Sequence, residues 1–384
     1  MARPVRVTGR ATLVDAFIKG MKQTVLGWSD AGASEGPPFC TVTAHPAGYT
    51  VASDYLETPL CDLPLASAVC AVIADLAEAY LEAHCDMRAL HCGAVRISGR
   101  MVLFSGVGHA GKSTLMARLS MEPGVRVFCD DILPIRADAT AVALGVPPRV
   151  RLPLPASGGA AFDRFVQQQG GLRDASYAYV PGPAILPHGS EGRPDALLLL
   201  RRESGATARL HDLSAQAAAA NMLAQDMSLQ ADGIAHIDRV TAMAEAMWRA
   251  TLVYDDLNDA VRLLADTFAL PDLGAAALAD PIAADPPRAK PAAIDPKARW
   301  QRHPDVGLRS RLGAAFLWVP WTGRYFHLNA IAMVCWTLIE APMTADDIVL
   351  ELTELFPDAP PQQVRVDVAN WLAEMIGNGL VLEP

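Results

Sequence analysis

Val102-Leu103-Phe104-Ser105-Gly106-Val107-Gly108-His109-Ala110-Gly111-Lys112-Ser113-Thr114-Leu115-Met116 decides the reading of this 384-residue chain. Residues 106–114 fit G-x-x-x-x-G-K-[ST] in full, with an apolar strand before the motif and a helical run after it. The glycines allow successive backbone N–H groups to turn toward one anion. The helix that begins at the end of the motif adds its partial positive charge there. Gly106, Gly108, His109, Ala110, Gly111, Lys112, Ser113 and Thr114 are therefore the candidate nucleotide-binding residues. Lys112 reaches the outer phosphates, and the Ser113 hydroxyl completes a magnesium shell. His109 either touches phosphate or fills a variable position of the motif.

Working outward, residues 90–97 and 101–105 read as a hairpin, and 125–129 as a strand ending in Asp130-Asp131. A carboxylate pair at such a strand end, beside the loop in a parallel sheet, divides two tasks. One holds magnesium, and the other takes the proton of an attacking hydroxyl. Residues 64–84 show helical spacing of apolar side chains, 196–202 reads as a buried strand, and 213–226 and 240–268 read as helices. Residues 1–60 mix short apolar runs with turn residues. Residues 271–297 are Ala-, Pro- and Asp-rich without apolar period and read as a tether. The pairs His84-Cys85 and His91-Cys92 have no usual zinc-module spacing.

Composition narrows the function classes. With 51% hydrophobic and 19% charged residues the chain has material for sizeable cores. A net charge of −10 argues against nucleic acid as a partner. The apolar run at 64–80 is broken by Asp75 and Glu78, so no membrane span is expected, and no signal peptide is visible. Seven scattered cysteines suit reduced thiols in a cytoplasm.

Leu90-His91-Cys92-Gly93, the loop and Val127-Phe-Cys-Asp-Asp131 together resemble the HPr kinase/phosphorylase family and its relatives, the free-serine kinases and the kinases encoded with lasso peptides. The resemblance covers roughly residues 60–265. It implies an α/β fold with a P-loop core of the HPr-kinase/PEP-carboxykinase type. It implies ATP and Mg2+ as cofactors, Asp130 as base, Asp131 beside the metal and His91 next to the transferring phosphate, with Lys112 on the phosphates. The glutamate-containing signature of the HPr kinases is absent. Residues 147–153 instead read PPRVRLP, similar to the proline–arginine segment of the relatives, which speaks against HPr as acceptor. Arg149 and Arg151 in that segment either hold phosphate or an acidic acceptor, or cover a sheet edge. The HPr kinases form hexamers, so a homo-oligomer is left open.

Residues 298–384 read as three short strands at 306–312, 315–319 and 323–328, then three helices. Asn329 is an expected helix cap, Thr344 and Asp347 an expected capping box, and Val364, Val368, Trp371, Leu372 and Met375 the apolar stripe of the last helix. This winged-helix-like layout, with Phe326-His-Leu-Asn-Ala-Ile-Ala332, Thr344-Ala-Asp-Asp and Gly379-Leu-Val-Leu382, resembles the PqqD family of peptide-recognition elements. The resemblance implies a leader peptide added beside the third strand, at Arg324, Tyr325 and Phe326, and packed on Val364, Arg365 and Val368.

The expected organisation is an N-terminal α+β extension (1–60), a kinase domain (61–270), a linker (271–297) and a PqqD-like domain (298–384). The expected function is ATP-dependent phosphorylation of a Ser or Thr hydroxyl in a ribosomally made precursor peptide held by its leader. Other peptide-modifying enzymes of the same pathway are expected as further partners. The alternatives are a nucleotide-gated peptide chaperone and a kinase or nucleotidyltransferase for a small molecule such as free serine.

Overall fold

The structure, a computed structural model, describes residues 4–27, 36–106, 110–227, 233–282, 292–295 and 297–384. It is a mixed α/β fold of several sheets, none closed into a barrel among the described residues. Two compact units are formed, one by 1–213, 225–228 and 246–280, the other by 214–224, 229–245 and 281–384.

In the first unit, Val5–Gly9 pairs in parallel with Cys40–His45, which continues as a hairpin with Gly48–Ser53 and then Leu60–Leu63. Alternation along Cys40–His45 buries Val42 and Ala44 against Phe17 of the helix Ala11–Thr24 and Val69 and Val72 of the helix Leu65–Ala83.

The six-stranded sheet that carries the motif runs Arg209–Asp212, Trp248–Tyr254, Pro194–Arg202, Arg100–Ser105, Gly93–Ile97, Arg126–Cys129. Trp248–Tyr254, Pro194–Arg202 and Arg100–Ser105 are mutually parallel, and the outer pairings are antiparallel. The strand before Asp130 therefore does not lie beside the loop strand in a parallel sheet. Gly93–Ile97 intervenes, antiparallel to both neighbours. Its close pairing with Arg100–Ser105 follows from the tight turn at Ser98-Gly99, both at positive φ.

Two further sequence readings change. Residues 90–97 are not one strand. Met87–His91 belongs to a second four-stranded sheet, paired with Ile132–Arg136, and Cys92 is the joint between the sheets. Gly93 marks the joint because a Cβ there would stand 2.8 Å from Met116 Sδ. Residues 240–268 are not one helix. A helix Gly233–Ala246 and a helix Leu257–Phe268 flank the strand Trp248–Tyr254. That strand is paired on both sides and buried from Ala250 to Tyr254, so its continuous apolar run lacks the alternation that marks a half-buried strand. The packed body also continues ten residues into the expected tether. Ala279 N–H donates to Leu210 O, Asp212 N–H donates to Ala279 O, and Leu273 joins the core.

In the second unit, Gly307–Arg311, Ala314–Val319 and Arg324–Leu328 form an antiparallel sheet, followed by the helices Ala330–Leu338, Ala345–Leu355 and Pro361–Gly377. Asn329 caps the first helix, and Thr344 with Asp347 closes a reciprocal capping box on the second. Ala315, Leu317, Val319 and Leu328 face these helices, with Trp336, Ile348 and Leu372 in the same core. A strand that the sequence did not reveal, Arg299–Arg302, pairs with Met343–Thr344 and Val381–Leu382. The opposite face of the sheet is covered by the helices Ala215–Ala224 and Gly233–Ala246. Gln216 Nε2 lies 2.8 Å from His327 Nε2, and the His236 ring lies 5.5 Å from that of Tyr325. Gly233 sits so close that a Cβ would stand 2.1 Å from the Trp318 ring, while Arg309 and Arg311 donate to Asp238.

Candidate functional site

In the first unit, a cavity of about 440 Å3 opens where the motif strand gives way to the helix Lys112–Leu119. Backbone constraints fix its floor. Gly106 (φ 149°) leaves its strand with Leu200 O only 2.9 Å from where a Cβ would be. Gly111 (φ 89°) is the N-cap of the helix, and a Cβ there would stand 2.8 Å from Tyr254 Oη. Tyr254 Oη donates in turn to Ala110 O at 3.1 Å. Both positions therefore demand glycine, as the motif provides. Gly108 and His109, with Val107, lie outside the described residues.

Lys112 is buried, and its Nζ donates to Gly106 O at 3.1 Å. Burial lowers its pKa, opposed by the charge of Asp131. Ala110, Gly111, Ser113 and Thr114 line the cavity beside it.

Asp130, only 6% exposed, lines the same cavity next to Ser113. Burial, then repulsion from Asp131, pushes its carboxyl up to about 6, against the Arg149 backbone N–H at 3.0 Å and a hydrogen bond with Ser113. Asp131 behaves in the opposite way. His91 Nε2 lies 3.0 Å from Asp131 Oδ1, and this hydrogen bond is the main cause holding that carboxyl below its usual range. The pairing His91↔Ile132 between Met87–His91 and Ile132–Arg136 places the two side chains together. Cys92 N–H donating to Asp131 O at 2.9 Å fixes the joint.

Arg149 and Arg151 also line the cavity. The Arg149 guanidinium stacks on the Tyr177 ring at 4.5 Å and touches Cys70 Sγ. The structure thus brings together Lys112, Ser113, Asp130, Asp131, His91, Arg149 and Arg151 from four separate stretches of chain.

Sequence reasoning missed Cys70, Ile73, Ala74 and Ala77, which supply an apolar wall from the helix Leu65–Ala83, and Tyr177, Tyr179 and Arg202. Arg202 had a usable signal: it closes a strand running parallel to the motif strand, and ligands of open α/β sheets gather at such carboxyl ends.

The carboxylate and hydroxyl oxygens of Asp131, Asp130 and Ser113 suit a hard cation such as magnesium. Among the described residues no three His, Cys, Asp or Glu side chains are gathered for a metal ion. An ion here would need ligand oxygens from a bound phosphate, which is how magnesium is usually held.

The second unit has an apolar groove of about 250 Å3, lined among others by Ile331, Phe356, Val364, Asp367, Val368 and Trp371. Ile331, at the groove, is half exposed. Val364 lines the groove, while Val368 lines it from the core and is nearly inaccessible. Arg324 donates to Asn378 Oδ1 at 2.7 Å and lies over the Phe326 ring. Strand alternation turns Tyr325 to the other sheet face, against His236, and Arg365 pairs with Asp346 away from the groove. Arg324, Tyr325, Phe326 and Arg365 thus do not line the groove, and Val364 and Val368 do.

No helix among the described residues is long and apolar enough to cross a membrane. No curated protein matches the chain. Residues 314–381 match the family model described as Coenzyme PQQ synthesis protein D (PqqD), so the sheet, capped helices and groove of the second unit include a PqqD domain.

Proposed function

We propose that the chain is an ATP- and magnesium-dependent phosphotransferase that phosphorylates a Ser or Thr hydroxyl of a precursor peptide, which its PqqD domain holds by the leader. The observation that carries this reading is the convergence of Lys112, Ser113, Asp130, Asp131 and His91 on one cavity at the helix N-terminus. The PqqD match supports the peptide and the place in ribosomal peptide biosynthesis.

In this reading the backbone at 110–114 and Lys112 hold the triphosphate of ATP, and Ser113 and Asp131 face the metal. Magnesium, when bound, neutralises charge on the phosphate oxygens and fixes their orientation. Asp130 accepts the proton of the attacking hydroxyl. A carboxyl titrating near 6 is largely ionised at neutral pH yet more basic than an ordinary one, as a general base requires. His91 holds Asp131 ionised and oriented. Arg149 keeps Asp130 in place through its backbone N–H. The PqqD domain raises the local concentration of the acceptor, so leader and acceptor segments of one peptide engage together.

The test is intact mass spectrometry of a precursor peptide incubated with the full chain, ATP and magnesium, with and without its leader. A gain of one phosphoryl group that depends on the leader is the expected outcome. A nucleotidyl gain would change the chemistry assigned to the cavity. Leader binding without any mass change would refute catalysis.

A further inference from the structure

Arg202 is the one cation of the cavity that comes from the strand beside the motif strand. Pro194–Arg202 runs parallel to Arg100–Ser105, with Leu199 level with Ser105 and Leu200 against Gly106. Arg202 therefore emerges at the carboxyl end of the sheet, just past the start of the loop, and it lines the same cavity as Gly111, Lys112 and Ser113. Asp130, Asp131 and His91 reach the cavity from other strands, on the far side of Gly93–Ile97.

The contacts of Arg202 are loose. Its Nη2 is 3.4 Å from Ser157 Oγ, and its Nε is 3.5 Å from Asp255 Oδ1. Asp255 is held more firmly, since its other oxygen accepts the Gly205 N–H at 2.9 Å. Arg149, by contrast, is clamped between Tyr177 and Cys70. A guanidinium is always charged and presents a planar fork that matches phosphate oxygens. A half-exposed arginine with long contacts, one side chain from a phosphate-binding loop, is free to exchange those contacts for a phosphate.

We infer that Arg202 is a phosphate-binding residue, closing on the phosphate tail of a nucleotide held by Lys112, and that Asp255 holds it back when the cavity is empty. The inference rests on the nucleotide reading of the loop. It adds a discriminating element to that reading. With Arg202 present, ligands should be ranked by the charge and length of their phosphate tail, while the nucleoside is left to the apolar wall.

The test is equilibrium titration of the full chain with ATP, ADP and inorganic triphosphate in magnesium, on wild type, Lys112→Ala, Arg202→Ala, Arg202→Lys and Asp255→Asn. Arg202→Ala should weaken ATP and triphosphate about tenfold or more, since charged hydrogen bonds are the strong ones, and ADP less. Arg202→Lys should recover only part, because the fork is lost. Asp255→Asn keeps an acceptor for Gly205 and removes the competing charge, so it should tighten ATP a few-fold. If Lys112→Ala weakens ATP but Arg202→Ala stays within twofold of wild type, this inference is overturned and the loop reading stands. If wild type binds none of the three ligands, the loop reading fails, and this inference fails with it.

Discussion

Asp130→Asn should make the protein more stable while removing its turnover. The carboxyl is buried, and it shares its surroundings with a second carboxylate, so ionising it in the folded state is costly. A rise from 3.8 to about 6 means that the folded state binds this proton more tightly than the unfolded chain does. The stability it gives is therefore complete below pH 4 and lost as pH rises through 6. At pH 7 and above the ionised side chain destabilises the fold by about 3 kcal/mol. Asparagine is isosteric and keeps an oxygen to accept the Arg149 N–H, and its NH2 can donate to the Ser113 hydroxyl in place of the bond that the carboxylate accepted, so the main change is loss of the charge. For a unit of this size each kcal/mol corresponds to about 2–4 °C, giving a rise of about 6–12 °C in the melting temperature of the first unit. The assay is nucleotide-free thermal unfolding at pH 8 and pH 5, because a bound ligand would itself shift the transition. The gain should fall to about half at pH 5, where the wild-type side chain is largely protonated in the fold. A variant that melts at or below wild type at pH 8 would refute the reasoning, and so would an equal gain at both pH values. Either result would remove the physical ground for Asp130 as a base.

Asp131→Asn should move stability the other way. Its carboxyl is held below the usual range by His91, so its contribution is present at neutral pH and lost on acidification. The loss should be small, because the pair is about half exposed, and it should shrink as melts are taken down through and below the ordinary carboxylate range. The rate of phosphoryl transfer should fall on the acid side with an apparent pKa of about 6; a profile flat down to pH 5 would exclude Asp130 as the titrating base. Gly111→Ala meets both a left-handed backbone and the Tyr254 hydroxyl at 2.8 Å. It should cost ATP affinity tenfold or more while circular dichroism stays near wild type; unchanged titrations would show that the loop does not bind nucleotide. Val364→Glu puts a charge beside Asp367 in the apolar groove and should weaken leader-peptide binding at least tenfold in fluorescence anisotropy, with ATP binding unaffected.

The parts legible in the sequence are those with local causes. The hairpin turn at Ser98-Gly99, the glycines at 106 and 111, the cap at Asn329 and the box at Thr344 and Asp347 each satisfy a need within a few residues. What was not legible depends on remote neighbours. The strand Trp248–Tyr254 exists because two strands flank it, and nothing in its own pattern separates it from a buried helix. The family resemblance, not position alone, proposed Asp130 as the base, and its raised pKa was not legible, because it comes mainly from burial by the folded chain, with repulsion from its neighbour Asp131 second. Tyr325 and Arg365 came from the PqqD resemblance, which carries no information on side-chain direction; the Tyr325 ring lies against His236 and Arg365 pairs with Asp346.

The sheet face covered by Ala215–Ala224 and Gly233–Ala246 bears on how such a protein could arise. A peptide-recognition domain is often treated as a cassette that can be cut out and joined to another enzyme. Here Phe316, Trp318, Tyr325 and His327 rely on helices encoded about 90 residues upstream, between the strands Arg209–Asp212 and Trp248–Tyr254 of the other unit. A gene fragment starting at 298 would bare an aromatic surface with nothing to cover it. Recombination at the apparent boundary would separate this sheet from the helices that cover it.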